Sequence, residues 1–317
     1  MSAKSVAIVG SGVSGLTCGV VFAERDYRTA IFAKETGRQT TSGAAAAVWF
    51  PYHVEPAERV IPLALETFDV LVDLAQIPSS GASMIELRQF SRTSEIEIPD
   101  WAIPLGASVI PSEVEGSLEL FKSGFSLRVP LMDTTIYLDY LAARFRKAGG
   151  EIRAKVRFEK PEDVDTKFDL VINCAGIGAR DLVHDAGLEP HRGQVAIVPK
   201  IEGLSSTIVC DDAPLMYAIP RRNDCVFGGT NDVSDNLAAD PATTSQIVAE
   251  SSRVLNIDKP RVLAERVGLR PFRRSGLRLE RDHLRDGRTV VHNYGHGGAG
   301  FTLSWGCARK VLELTTL

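Results

Sequence analysis

The chain opens with two short apolar runs separated by a segment with the pattern of a helix. Residues Ser5–Val9 form a continuous, β-branched-rich run, as expected of a strand buried on both faces. A glycine-rich stretch over Gly10–Gly15 follows, then Leu16–Arg25 reads as a helix with small residues, and Thr29–Ala33 is a second apolar run. This order predicts a βαβ unit and therefore a parallel sheet.

Two later segments extend this pattern, and two stretches differ from it. Tyr137–Ala148 has helical periodicity and ends at a pair of glycines, and Phe168–Asn173 is another buried strand. By contrast, residues 84–134 and 195–235 alternate between polar and apolar positions and are rich in Pro, Ser and Thr. Such stretches predict antiparallel strands joined by turns, and hence a second, inserted domain beside the parallel sheet.

One hairpin is expected within the second of these stretches. Met216–Pro220 and Cys225–Gly229 have the composition of strands, and four polar residues separate them. We expect Arg221 and Arg222, the first two of those four, to face solvent in the turn.

Net charge and cysteine content limit the kinds of partner and binding site that are expected. The 317 residues carry a net charge of −4 without a block of like charges, which argues against nucleic acid or an anionic membrane as the main partner. The five cysteines are scattered and form no C-x-x-C pair, so neither a zinc site nor a disulfide framework is indicated. With no signal peptide and no apolar run long enough for a bilayer, we expect a cytoplasmic protein.

The stretch Gly10–Gly15 fits the pattern G-x-G-x-x-G directly after a strand and at the start of a helix. Glycines at this spacing allow a tight turn and close approach of backbone amides to a pyrophosphate. An acidic residue is expected about 20 positions later, to hold a ribose hydroxyl. Here Lys34 stands at that place and Glu35 follows it, so either Glu35 holds the ribose, or Lys34 with Arg38 binds a 2′-phosphate, or Lys34 is a solvated surface charge.

The C-terminal region is more specific. Residues 290–308, VVHNYGHGGAGFTLSWGCA, resemble the signature of the D-amino acid oxidase and D-aspartate oxidase family throughout. Four glycines within six residues allow backbone to approach a ligand closely. The helix expected from Thr302 onward can direct its amide end toward a flavin ring and stabilise negative charge there.

Other blocks resemble the same family, with one departure. Residues 40–51 resemble its flavin-contacting stretch, and the Arg-Gly-Gln motif of residues 191–195 is similar to another of its blocks. Residues 216–220 and 268–271 resemble its two blocks for the substrate carboxylate. Eukaryotic members carry a longer loop with a second tyrosine before the first of these, whereas residues 210–216 are short and contain no tyrosine.

The resemblance implies an α/β fold with two domains. One is a Rossmann-type FAD-binding domain assembled from several segments, which we place at residues 1–50, 135–195 and 262–317. The other is an antiparallel, β-rich substrate domain, which we place at residues 51–134 and 196–261.

The activity that the resemblance implies is oxidative deamination of a neutral D-amino acid. Non-covalently bound FAD would take a hydride at N5 from the substrate Cα, and O₂ would reoxidise it to give H₂O₂, a 2-oxo acid and ammonia. The expected partners are then a small D-amino acid and O₂, with no nucleic acid or membrane. If the protein self-associates, the expected assembly is a homodimer. A D-aspartate or D-glutamate oxidase of the same family is the alternative; a nicotinamide-dependent or a non-catalytic flavin-binding protein is a more remote one.

The resemblance also implies roles for individual residues. Arg270 would grip the substrate carboxylate, Tyr217 would donate a hydrogen bond to it, and the carbonyl of Gly298 would accept one from the amine. His292 and His296 are expected to be structural. The side-chain pocket is expected to be apolar, formed by Val48, Phe50, Met216 and Ile219. The expected cofactor-binding residues are Gly10, Gly12, Val13, Ser14, Gly15, Lys34, Glu35, Thr41, Ser42, Ala46, Ala47, Val48, Val156, Gly176, Gly295, Gly297, Gly298, Gly300, Phe301 and Thr302.

Overall fold

The computed structural model describes residues 4–51, 54–110 and 120–316. The strands are β1 (Ser5–Val9), β2 (Arg28–Ala33), β3 (Ala82–Ser91), β4 (Ser108–Val109), β5 (Ser123–Met132), β6 (Glu151–Ala154), β7 (Leu170–Asn173), β8 (Leu188–Pro199), β9 (Ser206–Cys210), β10 (Met216–Pro220), β11 (Asp224–Gly228), β12 (Asp232–Val233), β13 (Ala264–Arg273), β14 (Arg278–His283) and β15 (Thr289–Tyr294). The helices are α1 (Val13–Ala23), α2 (Thr41–Ala44), α3 (Ala57–Leu74), α4 (Thr134–Lys147), α5 (Ala179–Leu182), α6 (Pro241–Leu255) and α7 (Gly300–Thr316).

A six-stranded sheet carries the βαβ unit predicted from the sequence. Its strand order is β14-β15-β7-β1-β2-β6, and every pair is parallel except β14 with β15. All five residues of β1 and all four of β7 are buried, as continuous apolar runs in a parallel sheet should be. The mixed α/β fold predicted from the sequence is confirmed.

A nine-stranded sheet contains the remaining strands. It runs β12-β8-β11-β10-β9-β3-β5-β4, with β13 paired along β8, and only β3 with β9 is parallel. The hairpin of β10 and β11 is present as predicted, and β3 pairs with β5 over ten residues. Antiparallel strands therefore dominate this sheet, which forms one wall of the cavity described below.

Two strands of the nine-stranded sheet come, wholly or in part, from segments predicted from the sequence to belong to the FAD-binding domain. β13 lies within the segment 262–317 and β8 crosses position 195, yet both belong to the nine-stranded sheet. Their ten-residue antiparallel pairing brings together residues that are 67 to 85 positions apart in the chain. Sheet membership depends on this long-range pairing, which local alternation does not reveal.

The expectation that Arg221 faces solvent was wrong. Its side chain is fully buried and donates two hydrogen bonds to Asp224, at 2.6 and 2.8 Å, and one to Thr134 Oγ1 at 3.3 Å. Arg221 directly follows β10 and its side chain reaches Thr134 of α4, whereas the next residue, Arg222, is exposed. A buried guanidinium requires a partner such as Asp224 because the cost of desolvating it is high.

Candidate functional site

A cavity of about 550 Å³ extends from the carboxyl end of β1 to one face of the nine-stranded sheet. Its first end is formed by the glycine-rich turn and the end of β2, and its other end by β10 and β13. The carboxyl ends of parallel strands are where open α/β sheets bind ligands. The cavity therefore joins a nucleotide-type site to the face of the second sheet.

The glycines of the turn have distinct structural roles. Gly10 has φ of +108°, and a Cβ there would lie 2.3 Å from the carbonyl oxygen of Cys174. A Cβ on Gly12 would reach 3.0 Å from Ser42 Oγ, in the space that the cavity occupies. Gly15 does not line the cavity; its Cβ would lie 1.9 Å from the carbonyl oxygen of Gly10, so it serves the close packing of α1 on the turn.

The first turn of α1 is open toward the cavity. Gly12, the residue before the helix, makes no side-chain cap, and Val13 donates its amide to Ser42 Oγ at 3.0 Å. Ser42 belongs to α2, which also borders the cavity. An 11-residue helix with its amino end toward a cavity offers amide donors and a partial positive charge, which suit a pyrophosphate.

At the end of β2, Lys34 and Glu35 both line the cavity. They form an exposed ion pair, Nζ to Oε1 at 3.2 Å. Ser11 Oγ, which the sequence did not single out, donates a hydrogen bond to the Glu35 carbonyl at 2.7 Å and so ties the turn to the end of β2. Val156 lies alongside, with its amide donating to the Ala33 carbonyl at 3.1 Å.

The amino end of α7 closes the middle of the cavity. Gly297, Gly298, Gly300 and Phe301 line it, and α7, which begins at Gly300, is 17 residues long. Thr302 was also expected here, but it is buried behind the lining.

Two predicted cofactor residues support this part of the lining from behind. The Thr302 hydroxyl donates to the Phe50 carbonyl at 2.9 Å and accepts from the Phe50 amide at 3.1 Å, so it fixes Phe50 against α7. Gly295, with φ of +85°, packs against Arg273. The structure thus places Gly15, Gly295 and Thr302 outside the lining and brings the other predicted residues together around it.

Arg270 and Tyr217, which the sequence predicts to bind the substrate carboxylate and which we call the carboxylate clamp after that prediction, meet at the far end of the cavity. Arg270 Nη1 donates to the Thr230 carbonyl at 2.8 Å and lies 3.4 Å from Asn231 Oδ1. Burial raises the pKa of Tyr217, while the charge of Arg270 and a hydrogen bond from it oppose that rise. A neutral phenol next to a fixed guanidinium is suited to binding a carboxylate.

Three glycines in or next to the nine-stranded sheet leave room for the side chains of the clamp. A Cβ on Gly193 of β8 would lie 2.5–2.6 Å from the guanidinium atoms of Arg270. A Cβ on Gly228 would lie 2.0 Å from the Tyr217 ring, and one on Gly229 would lie 2.8 Å from its hydroxyl. In the sequence, Gly193 stands within the Arg-Gly-Gln motif, and no local signal indicates this role.

Alternation along β10 decides which apolar residues border the clamp. Leu215, Tyr217 and Ile219 line the cavity, whereas Met216 is fully buried on the opposite face with Ala218. The expectation that Met216 lines the pocket was therefore wrong, since successive residues of a strand point to opposite faces. Val48 and Phe50 line the cavity as expected, together with Leu87 and Val209, which the sequence did not indicate.

The two histidines of the C-terminal motif are buried in hydrogen-bonded positions. His292 Nδ1 is 3.3 Å from Asn173 Nδ2, and His296 Nε2 is 3.0 Å from Asn293 Oδ1. Burial lowers the pKa of each to about 4, with the charge of Arg278 contributing at His292. Both are therefore neutral near pH 7, which agrees with a structural role.

Comparison with known proteins identifies relatives along nearly the entire chain. The family described as DAO, FAD dependent oxidoreductase, matches residues 5–314. The chain is 37% identical to a D-amino-acid oxidase of Rubrobacter xylanophilus, over 97% of this chain and 94% of that protein. It is 36% identical to one of Streptomyces coelicolor, over 98% and 96%, and 30% identical to human D-aspartate oxidase, over 100% and 96%.

Solved structures share the fold at lower sequence identity. Glycine oxidase from Geobacillus kaustophilus superposes with a TM-score of 0.81 at 20% identity, over 99% of this chain and 95% of that one. In the part of the chain that the structure describes, no helix is long and apolar enough to cross a membrane. Within those same residues, no cluster of His, Cys, Asp and Glu side chains has the arrangement of a metal site.

Proposed function

Because the chain belongs to the DAO family of FAD-dependent oxidoreductases, we propose that it oxidises neutral D-amino acids to 2-oxo acids, ammonia and H₂O₂. It is an oxidoreductase with FAD as its cofactor. The observation that carries the proposed substrate is the carboxylate clamp, at the opposite end of the cavity from the glycine-rich turn.

The residues around the cavity fit the parts of FAD. The open amino end of α1 suits its pyrophosphate. At Gly300 a Cβ would meet Val13 only at 3.7 Å, so the backbone there leaves space for a ligand. The amino end of α7 would face the flavin ring and favour negative charge on it. When bound, FAD supplies the two-electron acceptor for the substrate Cα–H bond and is regenerated by O₂.

The protein's own task is to hold the substrate in one orientation. Arg270 would bind the carboxylate through two parallel hydrogen bonds, which fix both position and rotation, and Tyr217 would add a third. The carbonyl of Gly298, at the cavity wall, would accept a hydrogen bond from the unprotonated amine. Positioning of this kind can lower a barrier by about 7–11 kcal/mol, and no strong base is required of His292 or His296.

Charge around the clamp favours neutral over acidic D-amino acids. Among the described lining residues, the cations other than Arg270 are Lys34, Arg157 and Arg180, which belong to the cofactor end. The substrate end has Asp211 and otherwise apolar neighbours, so a second carboxylate on the substrate would lack a partner there. This disfavours the alternative, an oxidase specific for D-aspartate or D-glutamate.

Oxygen consumption with a panel of D- and L-amino acids tests the proposal. We expect turnover of D-valine and D-methionine with higher kcat/KM than D-aspartate, and none with the L-isomers. A higher kcat/KM on D-aspartate would establish the acidic alternative instead. A protein that binds flavin but consumes no oxygen with any amino acid would contradict oxidase function altogether.

The cellular setting and assembly are also part of the proposal. All five cysteines are buried free thiols, including Cys18 and Cys174 with sulfur atoms 3.8 Å apart. Buried, scattered cysteines without a disulfide framework are typical of proteins of the reducing cytoplasm, which is the location that we propose. A homodimer stays a prediction, which the molar mass from light scattering would decide.

A further inference from the structure

Asp211 stands at the substrate end of the cavity. It follows β9 directly and lines the cavity beside Leu215 and Tyr217. Among the residues that the structure describes, its carboxylate forms no ion pair, and its one side-chain hydrogen bond comes from Gln89 Nε2 at 3.0 Å. The surrounding protein raises the pKa of the Asp211 carboxyl, because the charged form is poorly hydrated there.

The neighbouring Asp212 shows what a purely structural carboxylate looks like in this loop. It accepts hydrogen bonds from Ser91 Oγ at 2.7 Å and from the Arg92 amide at 2.6 Å, and these contacts lower its pKa. Asp211 faces the cavity and, among the residues described, receives a side-chain hydrogen bond from Gln89 alone. A structural role in the loop therefore explains why an aspartate stands at position 212, but it does not explain the aspartate at position 211.

Gln89, which donates the hydrogen bond to Asp211, is a second polar side chain at this place. The residue is buried on β3, and its Oε1 atom has no hydrogen-bond partner within the described part of the chain. Buried polar atoms without partners are rare and call for an explanation. Its Nε2 atom is committed to Asp211, so Gln89 fixes the direction of that carboxylate.

An apolar path connects the clamp to Asp211. Leu87, Val209, Leu215 and Ile219 line the cavity on this face of the sheet. The Tyr217 ring lies over β11, two strands from β9, and Tyr217 pairs with Val209, two residues before Asp211. The ring and Asp211 are therefore separated by about 10 Å across the strands, at ~4.8 Å per strand, and by about 7 Å along them, at ~3.4 Å per residue. A long, flexible methylene stem suits such a path.

We propose that Asp211, oriented by Gln89, is a specificity-determining residue that binds the cationic end of a long D-amino acid side chain, such as that of D-lysine or D-arginine. The inference rests on the proposed oxidase function and assigns a residue of this chain to the charged end of such a side chain. The apolar path holds the stem, and the carboxylate holds the ammonium or guanidinium group by a charge-assisted hydrogen bond.

The test compares substrates that differ only in the charged end. D-lysine and D-norleucine are assayed at one mildly alkaline pH with the wild-type holoenzyme, with Asp211→Asn and with Glu86→Gln. Asparagine keeps the shape of residue 211 and still accepts from Gln89. Glu86 is an exposed carboxylate on β3, paired with Arg88 at 2.9 Å on the opposite face, so it controls for the loss of a negative charge.

We expect the wild type to have a higher kcat/KM for D-lysine than for D-norleucine. Asp211→Asn should lower that ratio roughly 10- to 100-fold, the range expected for a hydrogen bond to a charged group, and leave D-norleucine nearly unchanged. Glu86→Gln should leave the ratio within about 2-fold. A ratio that does not favour D-lysine, or that Asp211→Asn does not change, would overturn the inference while the oxidase function stands.

A binding measurement keeps the inference testable if turnover itself fails. Calorimetry on the FAD-loaded protein compares ε-aminocaproate with caproate, two carboxylates that differ in the terminal ammonium group and lack the oxidisable amine. Tighter binding of ε-aminocaproate that is lost in Asp211→Asn would support the inference even in the absence of oxidation. Equal affinities in the wild type would refute it.

Discussion

Gly193→Ala should disable substrate binding without disturbing the fold. The Cβ of alanine would lie 2.5 Å from Arg270 Nη1, and ordinary contact begins at about 3.4 Å. The guanidinium must therefore move by about 1 Å. It is the end of a flexible side chain, so the displacement costs little in stability, but it takes the clamp out of position.

The size of the effect follows from that displacement. A misplacement of about 1 Å in a positioning group costs on the order of 100-fold in rate, or ~2.8 kcal/mol at ~1.4 kcal/mol per decade. The free energy of unfolding should change by less than about 1 kcal/mol, because Gly193 does not have a positive φ and alanine is preferred over glycine inside a strand.

Steady-state oxygen consumption with D-alanine, together with a urea unfolding curve, measures both quantities. The matched control is Gly193→Ala in an Arg270→Ala background, where no guanidinium remains to be displaced. There the substitution should add almost nothing to the loss caused by Arg270→Ala, and propionate binding measured by calorimetry gives the same comparison if turnover is too slow.

Two results would refute this reasoning. A near-normal kcat/KM for Gly193→Ala would mean that the sheet leaves more room than the contact distance indicates. An equal additional loss in the Arg270→Ala background would mean that alanine acts through some other group, such as the cofactor.

Three further predictions test the clamp, the cofactor and the buried ion pair. Arg270→Ala should lose about 2–5 kcal/mol of transition-state binding, roughly 30- to 5,000-fold in kcat/KM with D-alanine, and Arg270→Lys should recover only part of it. Tyr217→Phe should lose only ~0.5–1.5 kcal/mol, so the reverse order in steady-state kinetics would contradict the assigned roles. Acid should release the yellow cofactor into the supernatant, whereas colour that stays with the precipitate would indicate a covalent link. Arg221→Met should lower the free energy of unfolding by up to about 3–5 kcal/mol because Asp224 loses its partner, and an unchanged unfolding midpoint would show that the pair is dispensable.

The sequence by itself determined the features that depend on neighbouring residues. The βαβ unit follows from apolar runs on either side of a glycine-rich turn, and the structure has β1, α1 and β2 in those places. The hairpin of β10 and β11 follows in the same way from two apolar runs around four polar residues. The C-terminal motif indicated the family that the comparisons then showed.

Only the tertiary structure decided which side chains share a surface. Arg221 and Arg222 are adjacent in one polar turn, yet one is fully buried against Asp224 and the other is exposed. Likewise, Met216 and Tyr217 are neighbours in β10, but the register of the sheet directs only Tyr217 toward the cavity. Local pattern does not distinguish such pairs, because burial depends on which distant strand lies opposite.

Long-range strand pairing produces both the clamp and the contact between Asp211 and Gln89. Arg270 has room because Gly193, 77 positions earlier in the chain, pairs beside it through β8 and β13. Asp211 meets Gln89 because β9 pairs with β3 across more than 100 positions. Side-chain composition determined that these groups exist, whereas the long-range pairing of strands determined that they face one cavity.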